Sequence, residues 1–244
     1  MPDRSEVTAL LAAHRDGDER ALKLLIPLLY EDLRRIARSH VRGGSNRLLD
    51  GGSMPEGVQL LPGDGSAVLH RRFLPPGSFE ALRDEVDWSQ EHVRVFGRTH
   101  PVPRLVAFYG EHPYTYSGTE HAARPLPELL LPLRARAEEA AGFQFNSVLC
   151  NLYRNGRDSM GWHRDNEPEI DPRCIASLSF GAARRFKLRH RGDGRVVNVE
   201  LTDGSLLLMI DCQEHWEHAL PKTTRPVNGR INLTFRRVGP ANSA

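Results

Sequence analysis

The stretch 230-RINLTFRR-237 alternates polar and apolar side chains along its length. Successive residues of a β-strand point to opposite faces of the sheet, so Ile231, Leu233 and Phe235 share one face. The opposite face carries Arg230, Asn232, Thr234 and Arg236. A strand of a plain sandwich needs only one apolar face against the core. This strand therefore predicts a β-sheet whose second face holds a polar site.

Short strand-like runs fill most of the chain around this stretch. They are separated by Gly, Pro and Asp and cover residues 93–97, 105–110, 147–153, 174–181, 185–190, 195–201, 205–210 and 231–235. One helical pattern, residues 126–142, interrupts them and ends at Gly142, a residue type that often caps helices. Many short strands with few helices predict a mainly β fold with flanking helices, in the form of an antiparallel sandwich or barrel.

The first part of the chain has a different pattern. Apolar residues recur every three or four positions over residues 5–42, which predicts a small helical extension over residues 1–42. Residues 43–57 are rich in Gly, Ser and Asn and predict a flexible linker. We therefore expect one principal domain over residues 58–238, followed by a short tail over residues 239–244.

Composition limits the class of protein. The chain has 244 residues, of which 39% are hydrophobic and 26% are charged, as in ordinary globular proteins. It contains neither an 18-residue apolar run nor an apolar leader, so we expect a cytoplasmic protein without a membrane partner. The three cysteines are far apart, which favours reduced and buried thiols. A net charge of +2 permits a nucleic-acid partner but does not argue for one.

A candidate metal site lies in 158-DSMGWHRDNEPEIDP-172. If this stretch is a strand, His163 and Asp165 project to the same side and could share a cation. His215 and His218 are the candidates for a third ligand. Two histidines and a carboxylate can form the facial triad that holds Fe(II), but the same set also makes a catalytic zinc site.

Polar groups beside the candidate metal site favour iron with an anionic cosubstrate. Arg230 and Arg236 are about 20 Å apart on an extended strand, so they need not contact the same carboxylate. Asn151 and Tyr153 share one face of another predicted strand. Arginine guanidinium groups match planar carboxylates, and amide and phenol groups add directional hydrogen bonds. The sequence therefore predicts a small dicarboxylate beside the metal.

These residues form a pattern that resembles the AlkB family of Fe(II)- and 2-oxoglutarate-dependent dioxygenases. The pattern is N151-x-Y153-x-x-G156-x-D158-x-x-x-x-H163-x-D165, followed by His218 and by R230-x-N232-x-T-x-R236, and the resemblance covers residues 58–238. It implies a double-stranded β-helix, or jelly roll. It also implies that His163, Asp165 and His218 bind iron, because the family's last ligand precedes a short apolar-Pro turn, here 218-HALP-221. By the same resemblance Arg230 pairs with the distal carboxylate of 2-oxoglutarate, and the groups around the rest of it are Asn151, Tyr153, Asn232 and Arg236.

The resemblance also implies a reaction. With Fe(II), 2-oxoglutarate and O2, the protein would oxidise the methyl group of an N-alkylated base such as 1-methyladenine or 3-methylcytosine. Formaldehyde and succinate would be released and the base restored, which is a form of DNA repair. We expect double-stranded DNA as substrate and a monomeric enzyme. Hydroxylation of RNA bases or of a protein side chain on the same scaffold is the alternative.

Further residues correspond to substrate contacts of the family. The segment 93–110 resembles the hairpin that its duplex-repairing branch inserts into DNA, with Phe96 as a wedge beside Val95; Gly97 and Arg104 belong to the same segment. In 114-YTYSG-118, Tyr116 would pack on a flipped base, with Tyr114 and Ser117 at the entrance. Glu167 would accept a hydrogen bond from the exocyclic amine of that base. The alternatives are a core aromatic for Phe96 and a surface acid for Glu167.

A basic strand supplies a candidate phosphate contact. In 184-RRFKLRHRGDGR-195 the cations Arg185, Lys187 and Arg189 alternate with apolar residues and so share a face. Phosphates are natural ligands of such a face. The alternative is a solvated edge strand that is kept charged to prevent aggregation.

The helical N-terminus resembles the opening of region 2 in small RNA polymerase sigma factors over residues 10–43. Nothing downstream resembles a promoter-recognition helix-turn-helix. Two interpretations follow: a helical extension of little functional weight, or a transcription-associated module to which the dioxygenase domain is secondary.

Overall fold

The computed structural model describes residues 55–95, 97–116 and 119–239. At residues 94, 95, 116, 119 and 120 only the backbone is described. The predicted extension over residues 1–42, most of the predicted linker, Phe96, Ser117 and the tail beyond Gly239 lie outside the described residues.

The described chain is built mainly from strands, with two helices and one short 3-10 turn. The helices are α1 (Phe79–Glu85) and α2 (Leu131–Ala141), and the 3-10 turn Glu128–Leu130 leads into α2. The strands are β1 (Gly57–Gln59), β2 (Ser66–His70), β3 (His92–Val95), β4 (Arg98–Pro101), β5 (Leu105–Gly110), β6 (Tyr114–Tyr116), β7 (Thr119–His121), β8 (Ser147–Tyr153), β9 (Met160–His163), β10 (Cys174–Gly181), β11 (Arg184–His190), β12 (Val196–Leu201), β13 (Ser205–Ile210), β14 (Trp216–Leu220) and β15 (Arg230–Arg236).

Two antiparallel sheets form the body of the domain. The major sheet has seven strands in the order β1-β2-β13-β10-β15-β8-β5, and the minor sheet has four in the order β12-β11-β14-β9. Strands distant in sequence are neighbours, as β15 is between β10 and β8. The predicted mainly β jelly roll with flanking helices is confirmed.

Two apolar clusters hold these layers together. One lies between the sheets and combines major-sheet residues such as Leu149 and Leu207 with minor-sheet residues such as Leu188 and Trp216. The other lies between the major sheet and the helices and includes Leu82 and Leu133. Because both faces of the major sheet are covered, its central strands are almost wholly buried.

Strand β15 has the alternation expected from its sequence. Ile231, Leu233 and Phe235 belong to the cluster under the helices. The polar residues of β15 face the other way and line a cavity between the sheets. Burial of the apolar face therefore fixes which side chains point into the candidate site.

The structure corrects three details of the sequence prediction. Strand β1 begins at Gly57, inside the predicted linker. Strand β9 ends at His163, so Asp165 lies beyond the strand rather than on it. Strand β11 lies between β12 and β14, so the interpretation of the basic strand as an edge strand is wrong.

Other predictions hold. Gly142 caps α2 in the left-handed conformation, with a φ of 59°. The three cysteines are free and buried, and burial raises the pKa of the Cys174 thiol to about 11. Among the described residues, no helix is long and apolar enough to cross a membrane.

Candidate metal and cosubstrate site

Three predicted ligands meet at one end of the minor sheet. His163 ends β9 and pairs with His218 of β14 in the antiparallel register. The centroids of the two imidazole rings are 4.2 Å apart. Asp165 follows two residues after His163, and each of the three residues offers a ligand atom within 4.8 Å of the others. Strand pairing thus brings His163 and Asp165 close to His218, which is more than 50 residues away in the sequence.

The protonation states of the histidines suit metal binding. Nδ1 of His163 lies 2.9 Å from the carbonyl oxygen of Gly161, which leaves Nε2 available to a metal. Burial lowers the pKa of His163. Burial, followed by the proximity of His163, lowers the pKa of His218 to about 3. Both rings are therefore neutral near pH 7, as metal ligation requires.

Asp165 is held from two directions. Its Oδ1 accepts a hydrogen bond of 2.5 Å from Nη2 of Arg236, and both side chains are buried. Burial opposes ionisation of Asp165, but Arg236, His218 and His163 together outweigh it and keep the pKa of the carboxyl below its usual value. Its backbone N–H donates to Oε1 of the buried Gln213 over 3.0 Å. Gln213 was not among the residues predicted from the sequence.

The second oxygen of Asp165 tests whether a metal fits. Oδ2 is buried and has no hydrogen-bond partner within the described ranges. It lies 3.7 Å from Nε2 of His218. A buried carboxylate oxygen without a partner is costly, and a cation held by two imidazoles and this oxygen would remove that cost. The donor set therefore fits a divalent metal.

Next to the candidate metal site lies a narrow cavity between the two sheets. Paired positions of β15 and β8 form one wall, since Arg230 is opposite Tyr153 and Asn232 is opposite Asn151. All five side chains predicted to bind the cosubstrate line this cavity, together with the three predicted metal ligands.

Arg230 is a buried cation within this wall. It is 2% exposed, its Nη2 donates to Oγ of Ser179 over 2.9 Å, and its guanidinium lies 5.4 Å from the ring centroid of Tyr153. In the part of the chain that the structure describes, no carboxylate lies within ion-pair distance of Arg230. Burial lowers its pKa to about 10. An anion bound in the cavity would compensate this charge.

Serines of β10 support the same wall. Nδ2 of Asn232 donates to Oγ of Ser177 over 2.8 Å, and Ser179 accepts from Arg230 as described above. Sequence reasoning did not single out either serine. The signal was present, because Ser177 and Ser179 are two residues apart in 174-CIASLSFG-181 and so share a face.

Arg236 makes a contact that the sequence did not predict. It was expected around the cosubstrate, and it does line the cavity, but its guanidinium pairs with Asp165. Its Nη1 also lies 3.4 Å from the hydroxyl of Tyr114. Arg236 therefore contacts a predicted metal ligand directly.

Two predicted substrate contacts are buried instead. Arg104 is 3% exposed, and its Nε donates to Oδ1 of Asn151 over 2.7 Å, which places it behind the cosubstrate wall. Tyr114 is 1% exposed and packs on Phe108 and His121 rather than at an entrance. In both cases the side chain is covered by tertiary neighbours that a local sequence pattern does not reveal.

Glu167 lies close to this group of side chains. Its Oε2 is buried and has no hydrogen-bond partner among the described residues. Burial raises the pKa of Glu167, while the charge of Arg236 opposes that shift. A half-buried carboxyl group near the candidate metal site is unlike a surface acid.

The remaining predicted substrate residues lie on hairpins and on the minor sheet. The hairpin β3–β4 pairs Val95 with Arg98, which leaves only residues 96 and 97 between its strands, and Gly97 has a φ of 78°. The backbone of Tyr116 lies in the hairpin β6–β7. On β11, Arg185 is exposed, and Lys187 and Arg189 are half-buried.

Comparison with known proteins identifies the family. Residues 76–236 match the model described as the 2OG-Fe(II) oxygenase superfamily, and this range includes every predicted metal ligand. The chain is 42% identical over 178 residues to "DNA oxidative demethylase ALKBH2" of Mus musculus, covering 66% of this chain and 74% of that protein. The chain belongs to the AlkB family of this superfamily.

Other AlkB relatives match at similar identity. "Alpha-ketoglutarate-dependent dioxygenase alkB homolog 3" of Bos taurus is 45% identical over 175 residues, which are 66% of this chain and 61% of that protein. The human protein of the same name is 44% identical over 174 residues, which cover 66% and 60% of the two chains. This AlkB chain thus spans about three fifths of the length of these curated relatives.

A solved structure supports the fold of this AlkB domain. The structure of OsALKBH1 aligns with a TM-score of 0.55 at 15% identity and covers 74% of this chain and 100% of that chain. At the N-terminus, residues 4–49 match the model described as ECF sigma factor. The sequence resemblance to sigma factors is therefore found independently, in a segment outside the described residues.

Proposed function

We propose that this protein is an Fe(II)- and 2-oxoglutarate-dependent dioxygenase that demethylates N-alkylated bases in nucleic acid. One observation carries the proposal: Arg230, a buried cation that has no carboxylate partner among the described residues, shares a cavity with the His163, Asp165 and His218 cluster. The cluster accounts for a metal, and Arg230 accounts for an anion beside it.

His163, Asp165 and His218 would hold the iron. When bound, Fe(II) with 2-oxoglutarate supplies the O2-dependent oxidation of a methyl group. The side chains of this protein position that chemistry. Gly161 and Arg236 fix two of the ligands, because the first contacts Nδ1 of His163 and the second pairs with one oxygen of Asp165.

Arg230 would receive the distal carboxylate of 2-oxoglutarate, supported by Ser179 and Tyr153. A guanidinium that is already desolvated and held by a hydrogen bond needs little reorganisation to pair with an anion. Asn151, Asn232 and Thr234 offer further polar atoms along the wall. Because Asn232 is held by Ser177 and Asn151 by Arg104, the wall is preorganised.

We infer that the methylated base is 1-methyladenine or 3-methylcytosine. Glu167 is placed near the candidate iron site with a buried oxygen that has no partner among the described residues. That oxygen could accept a hydrogen bond from an exocyclic amine, which both bases carry. Tyr116 would stack on the same base. Two relatives support a nucleic-acid substrate, since the Mus musculus and Homo sapiens proteins are both named DNA oxidative demethylase ALKBH2.

Double-stranded DNA is the proposed form of the substrate, acted on by a monomer in the cytoplasm or nucleoid. A base must leave the duplex to enter the cavity, and an apolar side chain at a hairpin tip could fill the gap. The hairpin β3–β4 has an exposed strand, Arg98–Pro101, and Phe96 comes between its two strands in the sequence. Arg185 and Lys187 of β11 would contact phosphates.

Incubation with methylated oligonucleotides tests this function. The protein would receive Fe(II), 2-oxoglutarate and O2 with 1-methyladenine in single-stranded DNA, duplex DNA or RNA, and mass spectrometry would follow the methyl group. We expect methyl loss with the wild type and none with His163→Ala. If the wild type forms succinate but demethylates none of these strands, the substrate assignment is wrong and a protein substrate becomes the better hypothesis.

A further inference from the structure

An exposed tryptophan lies next to a candidate iron ligand but on the other side of the sheet. Trp162 precedes His163 in β9, so the two side chains point to opposite faces of the minor sheet. Trp162 is 37% exposed, whereas Trp216 is 1% exposed. Within the described ranges, Trp162 is the single aromatic residue among the exposed large hydrophobic ones. A large indole left in contact with water marks a candidate interaction surface.

Arg189 is stacked on this indole. Its guanidinium carbon lies 4.2 Å from the centroid of the Trp162 ring, a short distance for a cation–π contact. Arg189 belongs to β11 and reaches across β14 to the edge strand β9. It also pairs with Glu217, the residue opposite it on β14. Glu217 thus fixes the guanidinium over the ring.

The pair nevertheless remains accessible. The side chain of Arg189 is 38% exposed, close to the exposure of Trp162. An arginine held over an indole presents a cationic surface of the kind on which nucleobases stack.

Cations on the same face extend this surface. Lys187 and Arg185 precede Arg189 at two-residue steps along β11 and so point to the same side. Neither side chain lies within ion-pair distance of a carboxylate in the portion of the chain that is described. On β12, Asn198 lies opposite Lys187 and Glu200 lies opposite Arg185. Two cations therefore remain available to phosphates beside the stacked pair.

We propose that Trp162 and Arg189 form a platform that stacks on an unpaired base of a nucleic-acid strand, with Lys187 and Arg185 contacting its phosphates. The occupant is a nucleotide beside the alkylated one rather than the alkylated base itself, because the platform is on the outer face of the sheet. Bases within a duplex are already stacked on each other, so the platform favours single strands. The inference rests on the proposed function only for nucleic acid as the substrate class, and it adds single strands to the duplex proposed there.

Binding of a lesion-free oligonucleotide tests the platform apart from catalysis. The full chain would be titrated with a 12-nucleotide DNA single strand without alkylated bases, and with the matching duplex, by fluorescence anisotropy. Stacking of one base on an aromatic ring predicts that Trp162→Ala weakens single-strand binding about tenfold, whereas duplex binding changes less than about twofold. Trp162→Phe should retain most of the affinity, because it keeps an aromatic face.

A second variant separates stacking from folding. Trp162→Leu keeps an apolar group against Arg189 but removes the aromatic face, and its melting temperature would be compared with that of wild type. Loss of single-strand affinity without a change in melting temperature supports the platform. Two results would overturn the platform: equal single-strand affinities of Trp162→Leu and wild type, or equal losses of affinity for single strands and duplex. Trp162 and Arg189 would then only cover the edge of the sheet.

The two proposals can fail separately. If the protein demethylates no oligonucleotide but binds the lesion-free single strand through Trp162, the proposed activity is wrong and the platform stands. If demethylation is normal and single-strand binding does not depend on Trp162, the platform is wrong and the proposed activity stands.

Discussion

The side-chain carbonyl of Gln213 accepts a hydrogen bond from the backbone N–H of Asp165 over 3.0 Å. Gln213 is buried, and its Nε2 lies 3.8 Å from the sulfur atoms of both Met209 and Cys212. The connection between β13 and β14 thereby fixes the turn after β9, where the candidate metal site is completed. Gln213 acts through Asp165 and is a positioning residue.

Replacement of Gln213 should weaken metal binding. Gln213→Met retains the length of the side chain among sulfur atoms but removes the acceptor, so we expect about a tenfold loss of metal affinity. Electron paramagnetic resonance during titration with Mn²⁺ would measure it. Gln144→Met, at an exposed position, is the matched control. Unchanged Mn²⁺ affinity in Gln213→Met would show that the turn is held without this hydrogen bond.

The two arginines of β15 should respond oppositely to loss of charge. Arg230 has no carboxylate partner among the described residues, so Arg230→Met should leave the unfolding free energy unchanged or raise it by about 1 kcal/mol. Affinity for 2-oxoglutarate should fall about 100-fold, because its carboxylate would lose a buried partner. Urea denaturation of the metal-free protein and calorimetric titration of the Mn²⁺ form with 2-oxoglutarate would measure both.

Arg236→Met is the contrasting variant. It would leave the buried Asp165 carboxylate without its cation, so we expect a loss of about 3 kcal/mol of unfolding free energy in the same denaturation experiment. Equal destabilisation by Arg230→Met and Arg236→Met would contradict this distinction between the two cations.

The stability of the metal-free protein should fall in mild acid. The pKa of His218 is about 3 in the folded protein and about 6.5 in an unfolded chain, so protonation favours unfolding. The contribution of neutral His218 to the unfolding free energy is complete above pH 6.5 and is lost as the pH falls towards 3. Between pH 7.5 and 5.5 we expect a loss of about 1 kcal/mol from this group alone.

His218→Gln isolates that contribution. Glutamine does not titrate, so the difference in unfolding free energy between wild type and variant should shrink as the pH falls from 7.5 to 5.5. This comparison removes the opposing contribution of Glu167, whose raised pKa acts in the other direction. A difference that stays constant with pH would mean that His218 is not buried in its neutral form.

Phe96→Ala tests the proposed wedge. Demethylation should fall more on duplex than on single-stranded oligonucleotides, because only a duplex leaves a gap when a base is extruded. The ratio of kcat/KM on the two substrates measures this effect. Equal losses on both would favour the alternative of a core aromatic. Trp162→Leu is a useful companion, since we expect it to affect the single strand more.

Removal of residues 1–53 tests the transcription-associated interpretation. We expect demethylation of methylated oligonucleotides to be unchanged, because every proposed site residue lies downstream of this segment. Binding of the full and shortened chains to RNA polymerase would be compared by surface plasmon resonance. Unchanged demethylation together with no loss of polymerase binding would reject the module.

The sequence by itself determined the β fold and most of the candidate site. Alternation in 230-RINLTFRR-237 separates a core face from a polar face, because side chains of a strand alternate and apolar ones must be buried. Short apolar or alternating runs separated by Gly, Pro and Asp located β8, β10 and β13 at their observed bounds. The local spacing of His163 and Asp165 gave two candidate ligands, and the family pattern chose His218 over His215.

Only the tertiary structure decided which groups support that site. Gln213 reaches Asp165 across 48 positions, and Arg104 reaches Asn151 across 47, so no local periodicity encodes either contact. Burial of Tyr114, pairing of Arg236 with Asp165 and the interior place of β11 likewise depend on which strands become neighbours. Sequence periodicity specifies the face of a strand on which a side chain lies, but the neighbours it meets there are set by the packing of the two sheets.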